Sequence, residues 1–167
     1  MPATRGDLGI PLALDVLARE GDLWLRGGSQ SMLPLIRPED EVRLVLVDPA
    51  RVVPGMLIAS RREERLVIHR VLACGAPGFI TKGDALASPD PPVRRDEVLA
   101  RVVALRSGSG RSVDFTAFPW PLLDRLLSAI ATLASRPPSD ARPPSLGRRL
   151  AWKILRVPFY LARLLIR

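Results

Sequence analysis

The sequence predicts a mainly β fold, an antiparallel sheet or barrel, with a short N-terminal helix and a helical C-terminal extension. Three observations carry that reading. Short runs rich in Val, Leu and Ile follow one another from Leu23 to Arg106, separated by Gly, Pro and Asp, with connections too short for crossover helices. One amphipathic stretch precedes them, and helical periodicity returns only after Phe115. The charge divides at the same place: residues 1–115 hold 16 basic and 15 acidic side chains and residues 116–167 hold 9 and 2, so nearly all of the net charge of +8 sits in the last third. The 167 residues suit one domain with an appendage, divided here as 1–115 and 116–167.

The first element is a helix over Ile10 to Glu20, with Pro11 suited to its first turn and Gly21 to its stop. Strands are expected at Leu23–Arg26, Val42–Val47, Met56–Ser60, Leu66–Ala73, Phe79–Lys82 and Val98–Arg106. Asp114 and Phe115 close that region, and Pro119 to Ser135 carries Leu122, Leu123, Leu126, Leu127, Ile130 and Leu133 at helical spacing. A proline-rich linker, 136–145, cannot continue the helix. From Leu146 to Arg167, positions 149, 153, 156, 160, 163 and 167 form one stripe of Arg, Lys, Arg, Tyr, Arg and Arg, while nearly everything between them is apolar. Pro158 is expected to kink this helix. The pattern suits a helix lying in a membrane interface, with arginines at anionic headgroups and Trp152 and Phe159 in the acyl boundary. A helix docked on the domain with a basic outer face is the alternative. Its broad Leu, Ile and Trp face fits lipid better than nucleic acid, so no specific nucleic-acid partner is expected.

Composition narrows the chemistry. Apolar residues make up 47% and charged residues 25%, which excludes collagen-like and wholly disordered chains. The longest apolar stretches are broken by Arg, Asp or Pro before the ~18 residues of a membrane span, and no basic-then-apolar segment opens the chain, so neither a transmembrane helix nor a signal peptide is expected. Cys74 and His69 are each the single residue of their type, which removes internal disulfides and clustered metal sites; no cofactor or metal is expected.

Three segments hold groups capable of catalysis. Gly27-Gly-Ser-Gln-Ser-Met-Leu-Pro34 follows a strand and offers Ser29 and Ser31; by itself such a segment is most often a turn. Leu66-Val-Ile-His-Arg-Val-Leu72 places His69 in a strand, where it could equally be a packed histidine. Ile80-Thr-Lys-Gly-Asp-Ala-Leu-Ala-Ser-Pro-Asp90 ends a strand with a turn bearing Asp84 and Asp90, the usual place for a turn-capping carboxylate.

In that order, Ser-Met-x-Pro, then Ile-His-Arg-Val, then Lys-Gly-Asp with a second Asp six residues on, the three segments resemble type I signal peptidases. More closely they resemble the archaeal and endoplasmic-reticulum branch, where histidine stands in place of a lysine base. The resemblance runs from Leu25 to about Val103 and implies a signal-peptidase-like catalytic domain in residues 1–115. It implies Ser31 as nucleophile, His69 as general base and then acid, Asp90 as the group that orients the imidazole, and Ser29 as an oxyanion donor with the Ser31 backbone N–H. That assignment suits the chemistry, since neutral imidazole removes a serine proton near neutral pH and a carboxylate fixes its tautomer. Asp84 is the other possible third member, or a structural residue of its turn. Ser88 and Lys82 are supporting residues, Lys82 at a solvated strand end with a lysine base as its other role. Where the family has Gly-Asp this chain has Glu39-Asp40, where a second Gly-Asp is common it has Gly55-Met56, and Ala85 replaces an Asn after Asp84.

The expected function is a serine endopeptidase that cleaves signal or leader segments of precursor proteins at a membrane surface. With no N-terminal anchor visible, attachment is expected to be peripheral, through 146–167 on anionic lipid, with the site facing the cytoplasm. The related self-cleaving repressors share the β-rich fold but carry an N-terminal DNA-binding domain, for which twenty-two leading residues are too few. A catalytically idle peptide-binding or membrane-adaptor protein is the reading from a different class.

Overall fold

The computed structural model describes residues 9–135 and 154–166. Helix α1 spans Ile10–Glu20, with Pro11 in its first turn and Gly21 in the left-handed region at φ +80°, where glycine carries no Cβ penalty. Eight strands follow: β1 (Asp22–Arg26), β2 (Glu41–Leu46), β3 (Leu57–Arg62), β4 (Arg65–Cys74), β5 (Gly78–Lys82), β6 (Val93–Arg94), β7 (Val98–Arg106) and β8 (Ser112–Asp114). Helix α2 spans Trp120–Leu133 and α3 spans Val157–Leu164.

All pairings are antiparallel, in the order β1-β2-β7-β3-β4-β5-β6, with β8 added to β7. The sheet is open rather than closed into a barrel. Two strands beyond the six expected are β6 and β8, two and three residues long, too short to give an alternating pattern.

Alternation along the strands sends side chains to two apolar clusters. The larger holds Leu57, Ala59, Leu72, Ala100 and Leu105 of the sheet with Leu17 of α1, Trp120 and Leu127 of α2, and Phe159, Ala162 and Ile166 in and beside α3. The smaller, under the opposite pleats, holds Ile58, Val71, Phe79, Val93 and Val98. Phe115 meets Trp120 edge-on, ring centroids 4.9 Å apart, where the chain leaves the sheet for α2.

The C-terminal segment departs from the expected membrane-interface geometry. Phe159, expected in an acyl boundary, is 3% exposed in the main core. Arg163, expected on an outward basic stripe, is buried, and its guanidinium donates to both carboxylate oxygens of Asp40 and to the Leu35 carbonyl. Arg156 donates to the Leu33 carbonyl. The buried carboxylate of Asp40 and the nearby backbone carbonyls draw the guanidinium inward, because neither charge tolerates burial alone. Pro158 sits in the first turn of α3, where a missing N–H costs no helical bond, and the helical run at Ile154 and Leu155 is interrupted at Arg156 just before it, the break expected near this proline. The linker 136–145, Trp152 and the stripe positions 149, 153 and 167 lie outside the described residues.

Candidate active site

His69 lies in β4, paired with Ile58 of β3. On the other side of β4, β5 ends at Lys82, opposite Arg70, so the chain turns away at Gly83 just beside His69. That turn leaves room for the segment after β1 to bring Ser31 across the sheet end. The His69 Nε2 is 3.0 Å from the Ser31 Oγ, and its Nδ1 is 2.6 Å from an Asp90 carboxylate oxygen. The same oxygen accepts from the Thr81 hydroxyl at 2.6 Å, and the Arg62 guanidinium stands 3.6 Å away. Burial acting alone would raise the Asp90 carboxyl, but hydrogen bonds from His69 and Thr81, with the charge of Arg62, outweigh it and hold the group below the usual carboxylate range. Asp90 therefore stays ionised, with Nδ1–H donating to it and Nε2 left as the acceptor facing Ser31.

Ser29 completes the group. Its Oγ is 3.0 Å from the Ser31 Oγ and accepts from the Ser31 N–H at 3.4 Å. The Ser29 hydroxyl and the Ser31 N–H are thus two donors close to the nucleophile oxygen. Packing is close at Gly83, where an added Cβ would meet the Ser31 carbonyl oxygen at 2.6 Å and His69 Nε2 at 3.0 Å. The Ala85 N–H donates to the Ser31 carbonyl at 2.8 Å, which ties the nucleophile to the turn after β5.

No family model, curated protein or solved structure matches the chain.

The remaining candidates have other partners. Asp84 is buried and binds Arg70 with both oxygens, to Nε and Nη2 at 2.9 Å each, and does not reach His69. Arg70, fully buried, also donates to the Gly55 carbonyl and, at 2.7 Å, to Asp124 of α2, while Phe159 lies 5.9 Å from its guanidinium carbon. Burial lowers the affinity of Arg70 for its proton, but Asp84 and Asp124 more than offset this, so the cation is held firmly. Asp124 shows the opposite balance: burial raises its carboxyl in spite of Arg70.

Lys82 is not at a solvated strand end. It is 2% exposed and its Nζ donates to the Ala131 carbonyl of α2 at 3.0 Å, making no hydrogen bond to Ser31. Burial pushes its ammonium below the ordinary lysine range. Ser88 is half-buried in the loop between Asp84 and Asp90. A surface cavity of about 440 Å³ lies on the far side of Asp90, lined by Arg62, Arg65, Val67, Pro91 and Glu97 among others, and does not reach Ser31. Among the described residues no group of three His, Cys, Asp or Glu side chains could hold a metal ion. No described helix is long and apolar enough to cross a membrane.

Sequence reasoning missed Asp124 and Asp40. Asp124 belongs to no motif and Asp40 stands out only within Glu39-Asp40, while the arginines that bind them lie 54 and 123 residues away along the chain. The leucine pattern of this segment gave no signal for Asp124, because Leu122, Leu126 and Leu133 turn out to lie on the exposed face and Asp124 on the buried one with Trp120, Leu127, Ser128 and Ala131.

Proposed function

We propose that the protein is a serine endopeptidase acting through an acyl-enzyme on Ser31. The observation that carries this reading is the continuous hydrogen-bonded line from the Ser31 Oγ through His69 to Asp90, with Ser29 beside the nucleophile. His69 Nε2 takes the hydroxyl proton as Oγ attacks the carbonyl carbon of a peptide bond. The Ser31 N–H and Ser29 hydroxyl turn from each other to the developing oxyanion, and the imidazolium, stabilised by Asp90, returns the proton to the departing amine. Water then enters, gives a proton to His69 and attacks the ester, releasing the new carboxylate and restoring Ser31.

Signal or leader segments of precursor proteins are the substrate class, and a peripheral membrane surface the place; both rest on the resemblance to type I signal peptidases rather than on any bound ligand. Purified protein is treated with a fluorophosphonate, with Ser31→Ala and His69→Ala as controls, and the modified residue is located by mass spectrometry. Modification at Ser31 that requires His69 supports the reading. No modification of folded protein overturns it in favour of an idle peptide-binding adaptor.

A further inference from the structure

Strand β4 is paired over different lengths on its two sides. With β3 it pairs from Arg65 to Arg70, whereas its pairing with β5 begins only at Arg70, opposite Lys82. From Arg65 to His69 the β5 side of β4 therefore has no described strand beside it. The Val71 N–H donates toward β3, to the Met56 carbonyl, so alternation turns the N–H and C=O groups of Leu66 and Ile68 to the open side. An extended peptide can add there as a further strand. The open edge starts at the general base and runs one way only, toward Arg65, because β5 occupies that side from Arg70 onward.

His69, Val67 and Arg65 share one face of β4. On that face lies the cavity of about 440 Å³ beyond Asp90, and its rim is charged. Arg62 is committed, donating to the Pro91 carbonyl at 3.1 Å and standing 3.6 Å from Asp90. Glu97 is also committed: one oxygen accepts from the Arg94 N–H at 2.8 Å and the other lies 3.7 Å from the Arg94 guanidinium. Arg61 and Arg65 are exposed, line the same cavity and make no hydrogen bond or ion pair among the described residues. Only Glu63, in the turn between them, offsets their charge.

We propose that this cavity is a subsite for an aspartate or glutamate side chain of the leader, about five residues before the cut, read by Arg65 and Arg61. A strand rises about 3.3 Å per residue, so a peptide laid along the open edge with its scissile carbonyl at Ser31 brings its fifth residue back beside Arg65, roughly 13 Å from His69. A leader precedes the cut and so forms the acyl side, the part that stays on Ser31 until water enters. Guanidinium groups that lack a carboxylate partner, set beside the apolar wall of Val67, Pro91 and Val93, bind a carboxylate in fork geometry and repel a lysine. The inference rests on the peptidase reading above and names part of its substrate.

Full-length protein is treated with acetylated pentapeptide aryl phosphonates, in which phosphorus replaces the scissile carbonyl; the Ser31 Oγ displaces the phenoxide and His69 takes the hydroxyl proton. The peptides are alanine throughout except for Asp, Ala or Lys, placed fifth from the phosphorus in one series and second in the other. In wild type the Asp probe should react about five- to tenfold faster than the Lys probe in the first series, and within about twofold of it in the second. Arg65→Gln should bring the first ratio close to unity, and Arg61→Glu/Arg65→Glu should reverse it. Each ratio is taken within one protein, so a change in the amount of folded variant does not enter it. A plain fluorophosphonate is run beside the peptides. Ser31 labelled by it while the Asp and Lys probes react alike, or while no peptide reacts, overturns the subsite and leaves the peptidase standing. An equal preference for Asp in both series also overturns the subsite, being general attraction by the surface, and so does a preference that survives the double charge reversal. No labelling of folded protein by any of these reagents rejects the peptidase reading, and the subsite falls with it.

Discussion

A methyl group added at Gly83 would lie 2.6 Å from the Ser31 carbonyl oxygen and 3.0 Å from His69 Nε2, so the nucleophile and its base would have to move apart. Fluorophosphonate labelling of Gly83→Ala should fall by about 10- to 100-fold, with circular dichroism unchanged, since a misplacement near 1 Å is enough for such a loss. At Ser29 the change should be electrostatic instead. Ser29→Ala should keep substrate KM and lose roughly 10- to 1,000-fold in kcat, measured on a leader peptide once one is found to be cut. Asp90 gives a pH signature. Its carboxyl is lower in the folded protein than in the unfolded chain, so it stabilises the fold above the unfolded value of about 3.9, and this is lost as pH falls through the folded value. The melting temperature of wild type should therefore exceed that of Asp90→Asn by a margin that is constant at neutral pH and shrinks below about pH 4. A margin that grew on acidification would contradict the hydrogen-bond assignment at Asp90.

Among the elements, β4 carries most of the organisation. Successive residues face opposite sides, so His69 and Arg70 serve different sides of one strand: His69 meets Ser31 and Asp90, and Arg70 meets Asp84, Gly55 and Asp124. Helix α2 is held to β4 and β5 by Asp124 on Arg70, by the Ser128 hydroxyl on the Val71 carbonyl, and by Lys82 on the Ala131 carbonyl. Removing the cation should be far worse than removing one anion. Arg70→Met leaves Asp84 buried without its partner and should cost about 3–5 kcal/mol in urea unfolding. Asp124 has a raised carboxyl, so its stabilising effect is present at low pH and lost as pH rises through that raised value. At pH 7 Asp124→Asn keeps an oxygen for Arg70 and should cost about 1 kcal/mol or less. The strands and the Ser31, His69, Asp90 order were legible because alternation and short ordered motifs are local signals. The roles of Asp84 and Lys82 were not, because each depends on a helix far along the chain: Asp84 shares Arg70 with Asp124, and Lys82 ends on Ala131.

At the scale of the whole molecule, the C-terminal helix was legible as a helix but not in its orientation. Periodicity alone finds the stripe through positions 156, 160 and 163, and an arginine stripe ordinarily faces water. Here the buried Asp40, 0% exposed, reverses that preference by offering both oxygens to Arg163. Two substitutions two residues apart, about half a turn, should separate the two faces of α3. Arg163→Met should lower stability by about 3–5 kcal/mol and slow Ser31 labelling, while Leu161→Glu should leave both unchanged; urea unfolding and labelling rate on the same samples check this.

The pairing of Asp40 with Arg163 also sets an order in time. Asp40 emerges early during synthesis, and its carboxylate accepts from the Arg37 and Gly108 N–H groups, but its counter-charge arrives only with residue 163. The same late segment brings the donors for the Leu33 and Leu35 carbonyls. A nascent chain that already displays Ser31, His69 and Asp90 is therefore still without the groups that brace the nucleophile segment from behind.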